Sequence, residues 1–93
     1  ETQHMLVALI ARDKPDALET RKANRDAHLA YIEETGVVVQ AGPLIVEGEM
    51  AGSLVILEVA DLAAAHAWAE ADPYARAGLF GSVELVEWKK VIG

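Results

Sequence analysis

The sequence predicts an α+β domain built on a four-stranded antiparallel sheet, and three observations lead there. Short apolar or β-branched runs recur four times along the chain. Helical stretches separate the first run from the second and the third from the fourth. Turn residues punctuate each junction. The resulting order is βαββαβ, the split-βαβ or ferredoxin-like arrangement, in which two helices cover one face of the sheet.

The elements follow in order. Met5 to Ala11 (MLVALIA) is a brief apolar run that ends at Arg12-Asp13-Lys14-Pro15. Its length and the charged turn after it favour a buried strand. Asp13 or Pro15-Asp16 then opens a helical stretch reaching to about Thr35, where Gly36 stops it, with Leu18, Leu29 and Ile32 on its apolar stripe. Val37-Val38-Val39 is β-branched and bounded by glycine, so it reads as a strand. Gly42 to Gly52 reads as a loop or an irregular hairpin, and Ser53 to Val59 (SLVILEV) as the third strand. Asp61 is the expected N-cap of an alanine-rich helix from Leu62 to Ala71, which ends before Asp72-Pro73. A short helical piece, Pro73 to Ala77, is stopped by Gly78, and Ser82 to Trp88 (SVELVEW) is the last strand. Residues 5–93 are expected to form a single domain. Glu1-Thr2-Gln3-His4 is expected to be a remnant of expression, with Met5 the native first residue.

Composition narrows the function classes. The 93 residues carry a formal charge of −7, which argues against a nucleic-acid partner because phosphate binding needs a basic stripe. Arg12, Lys14, Arg21, Lys22 and Arg25 nevertheless lie close in sequence, a local cluster suited to a small anion. No run approaches the roughly 18 apolar residues of a membrane helix, and no secretory signal pattern opens the chain; cytoplasmic is the default reading. With no cysteines, neither disulfides nor cysteine metal clusters can staple the fold. A chain this small buries only about 60–65% of its unfolded surface. Both MLVALIA and SLVILEV are apolar at both alternating sets of positions, where a sheet with one wet face would alternate cleanly. A second copy, sheet against sheet, is the simplest cover. The expected product is a homodimer around a pocket containing His28, Arg25 and Asp72.

The helix segment Arg21-Lys22-Ala23-Asn24-Arg25-Asp26-Ala27-His28-Leu29 holds the most informative polar residues. At about 100° per residue, Arg25 projects between Leu29 and Ile32, and Arg21 and His28 fall at the margin of the same stripe. Burying such charges without partners costs several kcal/mol. Either the arginines snorkel and pair with neighbours such as Glu19 or Asp26, or they surround a wet pocket. Histidine titrates nearest working pH and suits proton transfer. Asp72 before Pro73 has the pattern of a helix cap; near His28 it would instead orient the imidazole. Gly42-Pro43 and Gly52-Ser53 fit turn chemistry, and Ser53 could present its hydroxyl or N–H to a ligand. No nucleophile elbow, phosphate-binding glycine loop or metal-ligand spacing is present, so no cofactor or metal is expected. His4 and His66 receive no role, and Trp68 and Trp88 read as core or interface.

These residues resemble the YciI-like (YCII-related) family. The similarity is carried by Asp13-Lys14-Pro15, Arg21 through Tyr31, Ala41-Gly42-Pro43, Gly52-Ser53, Ala71 through Leu79 and Trp88 through Ile92. The resemblance implies a ferredoxin-like fold that assembles as a dimeric α+β barrel. It further implies a His-Asp active-site pair, which falls on His28 and Asp72, with recurrent positions at Arg25, Gly42, Pro43, Ser53, Pro73 and Tyr74. A related member acts as a dehydrochlorinase on a chlorinated hydroxyquinol.

Two functional readings result. One is a cofactor-free enzyme of lyase, isomerase or hydrolase type, acting on a small polar or anionic molecule. His28 and Asp72 would be its catalytic pair, and Arg25, Arg21, Gly42, Pro43, Ser53 and Tyr74 would bind substrate. The other is a non-catalytic small-molecule-binding or accessory module using the same residues. A third use of the polar cluster, cementing the dimer, stays open beside them.

Overall fold

The computed structural model describes residues 4–93, so the first three residues of the expected remnant lie outside the described residues. The elements are β1 (Met5–Asp13), α1 (Leu18–Thr35), β2 (Val38–Val46), β3 (Glu49–Val59), α2 (Leu62–Ala71), α3 (Pro73–Arg76) and β4 (Phe80–Trp88). The strands lie in the order β2-β3-β1-β4, each antiparallel to its neighbours. This is the expected βαββαβ fold, with α3 a single turn ahead of β4.

Strand alternation sorts the residues into two faces. Val7, Leu9 and Ala11 of β1 stand opposite Leu57, Val55 and Ser53 of β3. Except for Ser53 they join Val59, Ala65 and Trp68 in the core cluster, with Tyr31 and Ile32 of α1 packed against it. The alternate set, including Ala8, Ile10, Leu54 and Ile56, faces the other way, together with Val86 and Trp88 across from Ala8 and Leu6. Leu54, Val86 and Trp88 remain 38, 45 and 39% exposed there. The second apolar face read from MLVALIA and SLVILEV therefore exists.

The largest departure from expectation is the segment Gly42 to Gly52. It is mostly strand, because β2 runs on to Val46 and β3 begins at Glu49. A two-residue turn joins them, with Glu47 at φ 51° and Gly48 at φ 82°. Such turns need positive φ at both positions and usually announce themselves by Asn-Gly or Asp-Gly; glutamate at the first position hid the signal. Register shifts after Val38 and Leu44 further blur the alternation. Gly52 is required by contact. A Cβ there would collide with the Ala11 carbonyl oxygen and lie 2.9 Å from Leu44 Cδ1, so glycine lets β3 press against β1 just before Ser53.

α1 starts later than expected, at Leu18, because Asp13 belongs to β1 rather than to a helix cap. Ala17 precedes the helix without a side-chain cap bond, and Gly36 ends it in the left-handed region at φ 65°. α2 begins as predicted, the Asp61 carboxylate accepting the Ala64 N–H at 2.8 Å. The two helices are tied together. Tyr31 Oη donates to the Trp68 carbonyl at 2.7 Å, and Trp68 Nε1 donates to Thr35 Oγ1 at 2.9 Å. No helix among the described residues is long and apolar enough to cross a membrane.

Candidate active site

The most deeply buried residues of α1 are polar. Its fully buried residues are Arg21 and His28, 3 and 6% exposed, two turns apart on one line of the helix. Arg25, expected in the middle of the apolar stripe, is exposed, and Leu29 is 43% exposed. The expectation is corrected by rotation of the helix: it turns the residues with charged partners inward and leaves Leu29 partly outside.

The partner of Arg21 is Asp13, not Glu19 or Asp26, both of which are exposed. Arg21 Nε donates to Asp13 Oδ2 at 2.7 Å and Nη2 to Oδ1 at 2.8 Å, the bidentate geometry that suits a buried guanidinium. Nη2 also donates to Ser53 Oγ at 2.9 Å, and the guanidinium carbon lies 4.7 Å from the centre of the Tyr74 ring. Burial by itself would weaken Arg21's hold on its proton. The Asp13 carboxylate reverses this and holds the guanidinium above its ordinary value.

The second cluster centres on His28. Its Nδ1 lies 2.8 Å from Asp72 Oδ1, and Asp72 is only 2% exposed. The same oxygen accepts the Tyr74 N–H at 3.0 Å. Asp72 is therefore both things the sequence allowed, the cap of α3 and the partner of the imidazole. With the carboxylate as acceptor, Nδ1–H is the donor of this contact, and Nε2 makes no hydrogen bond among the described residues. The His28 ring stacks on Tyr74 at 3.9 Å between centroids and 15° between planes. Burial raises the Tyr74 phenol above its usual value; Arg21 and Arg25 pull it back and Asp72 adds to the rise.

Between α1 and the helix-covered side of the sheet lies a cavity of about 200 Å³. Its polar wall is Arg21, Arg25, His28, Ser53 and Tyr74, and Gly42 and Pro43 of β2 line it as well. Leu29, Ile32, Ala41, Met50 and Val55 supply the apolar remainder. Asp72 stands behind His28 rather than at the cavity surface. A wider groove of about 660 Å³, lined by Asp13, Asp16, Glu19, Glu47 and Glu49 and sharing Met50 with the cavity, contains no histidine or arginine.

Ser53, at the cavity wall, stands opposite Ala11 on the helix-covered face. The exposed apolar patch of Leu54, Val86 and Trp88 is on the reverse of the sheet. Cavity and candidate dimer surface are thus separate. Sequence reasoning also missed Asp13, whose place in Arg12-Asp13-Lys14-Pro15 reads as turn chemistry, and Met50, hidden in the supposed loop. A carboxylate eight residues before a helical arginine carries no periodic signature. Only the return of α1 across the end of β1 unites them.

A YCII-related domain model matches residues 5–89. The chain belongs to the YCII-related family. It is 41% identical to Protein YciI of Escherichia coli over 97 aligned residues, covering 94% of this chain and 99% of the relative. Among solved structures it is similar to the 5-chloro-2-hydroxyhydroquinone dehydrochlorinase of Burkholderia phenoliruptrix, solved in complex with 2,5-dihydroxybenzoquinone. That match has 34% identity and a TM-score of 0.86, with 91% of this chain and 94% of that one covered. A dimeric protein of ferredoxin-like fold from Bacteroides fragilis shares the fold at 16% identity and a TM-score of 0.58, over 97% of this chain and 100% of that one.

Proposed function

We propose that this YCII-related protein is a cofactor-free proton-transfer enzyme acting on a small, ring-sized, acidic molecule. The observation that carries the reading is the buried 2.8 Å contact between His28 Nδ1 and Asp72 at the wall of a cavity. Asp72 fixes the tautomer and ring orientation, so that Nε2 serves as the base. Nε2 takes a proton from an O–H or C–H of the substrate, the electron pair stays on the substrate as an oxyanion or enolate, and the Arg25 guanidinium neutralises it. Ser53 Oγ accepts from Arg21, which leaves its own hydrogen free to donate to the same oxyanion.

Size supports a single ring. An engineered apolar cavity of about 150 Å³ in another protein takes up benzene, so a cavity of about 200 Å³ holds one substituted ring and little more. The dehydrochlorinase neighbour, whose complex holds a dihydroxybenzoquinone, supports an acidic hydroxylated ring as the substrate type. The protein would work as a homodimer joined through the apolar sheet face, each copy carrying its own cavity.

The test is chloride release from 5-chloro-2-hydroxyhydroquinone. Wild-type protein is expected to accelerate it, and His28→Ala to lose about 100-fold or more of the rate, the usual scale of general acid–base catalysis. Unchanged turnover in His28→Ala removes the base. An accessory module is the other reading. Under it, His28→Gln retains full affinity for 2,5-dihydroxybenzoquinone and wild type turns nothing over.

A further inference from the structure

The charges around the cavity pair off unevenly. Arg21 is spent on Asp13 through two short hydrogen bonds, with the paired side chains only 3 and 6% exposed. Once His28 has accepted a proton, its charge is matched by Asp72 at 2.8 Å. Among the described residues Arg25 makes no ion pair, yet it lines the cavity and faces the Tyr74 phenol. One cation is therefore left over for the ligand.

Resting on the proton-transfer reading, we propose that Asp13 sets the charge specificity of the site. By withholding Arg21 from the ligand it leaves Arg25 as the meeting cation, so the cavity selects a ring-sized molecule bearing one negative charge over the same shape bearing two. Arg21 is a positioning residue: it fixes the Ser53 hydroxyl and underlies Tyr74. A second ligand charge in this half-apolar cavity would be desolvated without a partner, which is expensive. A lone buried arginine would invite that charge; Asp13 removes the invitation.

Two probes of matching shape separate the cases. Benzenesulfonate carries one charge, and phenylphosphonate carries two at about pH 8.5, above the second ionisation of phosphate-type acids. Calorimetry on the wild-type protein should show benzenesulfonate bound roughly tenfold or more tightly, the scale of one charged hydrogen bond. Asp13→Asn frees Arg21 and should reverse the preference toward phenylphosphonate. Because that variant strands a buried arginine and can fail to fold, the double variant Asp13→Asn/Arg21→Gln is measured beside it. That pair removes both charges together, so the preference for the monoanion should persist even as absolute affinity drops with the loosened Ser53. Arg25→Gln, a change at an exposed position, should cost roughly tenfold for benzenesulfonate. Equal wild-type affinity for the two probes overturns the proposal, as does no binding of either up to about 10 mM. It is also overturned if the double variant loses the preference while Arg25→Gln keeps it. None of these measurements needs turnover. An inactive protein that still shows the charge preference would sink the enzyme reading alone.

Discussion

α1 and α2 cover the same face of one sheet but are held there by opposite means. α2 buries Ala65 and Trp68, both in the apolar core, and starts on an Asp61 cap from its own sequence neighbourhood. α1 buries Arg21 and His28, and each is satisfied by a carboxylate from another element, Asp13 of β1 and Asp72 at the start of α3. The α2 contacts are non-directional and scale with area. The α1 contacts are directional and fail together if one partner is removed. α1 turns two polar residues with carboxylate partners toward a cavity, whereas α2 turns alanine and tryptophan into the core.

The sharpest break of this comparison is Arg21→Met. It leaves Asp13 buried without its cation and should cost about 3–5 kcal/mol in denaturant unfolding. A loss below about 1 kcal/mol, the scale of an exposed pair, would mean that the contact is solvated. Trp68→Ala should cost a similar 3–5 kcal/mol by leaving a cavity, but through packing. The distinction appears in ligand binding. Folded Trp68→Ala protein should keep the benzenesulfonate preference over phenylphosphonate, and a reversal there would join the two helices into one energetic unit.

Asp61→Ala comes next. The loss of a single cap bond should lower stability by about 1 kcal/mol, and chloride release should be unaffected because Asp61 is exposed and lies outside the cavity lining. The smallest effect is in pH. Burial raises the Tyr74 phenol above its ordinary 10.0. Below that value both folded and unfolded chains hold the proton and pH does not matter. Above it the unfolded chain releases its proton first, so stability falls as pH climbs through the folded value. Tyr31 is raised also, chiefly by burial, and contributes to the same slope. Tyr74→Phe should therefore flatten the decline above about pH 10 without abolishing it. An undiminished slope in that variant would assign the whole effect elsewhere.

The legibility of the two helices differs for the same reason. Asp61, the alanine run and the Pro73 stop are local signals, and α2 was readable to the residue. α1 was readable in existence and in its Gly36 end, but not in rotation. Leu29 and Arg25 were expected at the centre of the buried stripe and instead sit exposed at the cavity wall, because hydrophobic periodicity says nothing about buried polar residues whose partners lie on other elements. Every predicted ligand-binding residue, from Arg21 and Arg25 to Gly42, Pro43, Ser53 and Tyr74, lies on one cavity. What escaped was the support behind them, above all Asp13.

By itself the sequence determined the βαββαβ order, the two-sided apolar strands and the identity of the unusual side chains. These depend on periodicity, turn chemistry and composition, all written along the chain. Tertiary structure alone decided which charges meet. The contacts of Arg21 with Asp13 and Ser53, and of His28 with Asp72, join residues 8, 32 and 44 apart. It also decided that Asp72 would serve helix and imidazole through one oxygen. It placed the cavity on the helix-covered side, with the apolar face on the other. Hydrogen bonds fix partners only at about 3 Å, and a distance of that kind is set by the fold rather than by spacing in the chain.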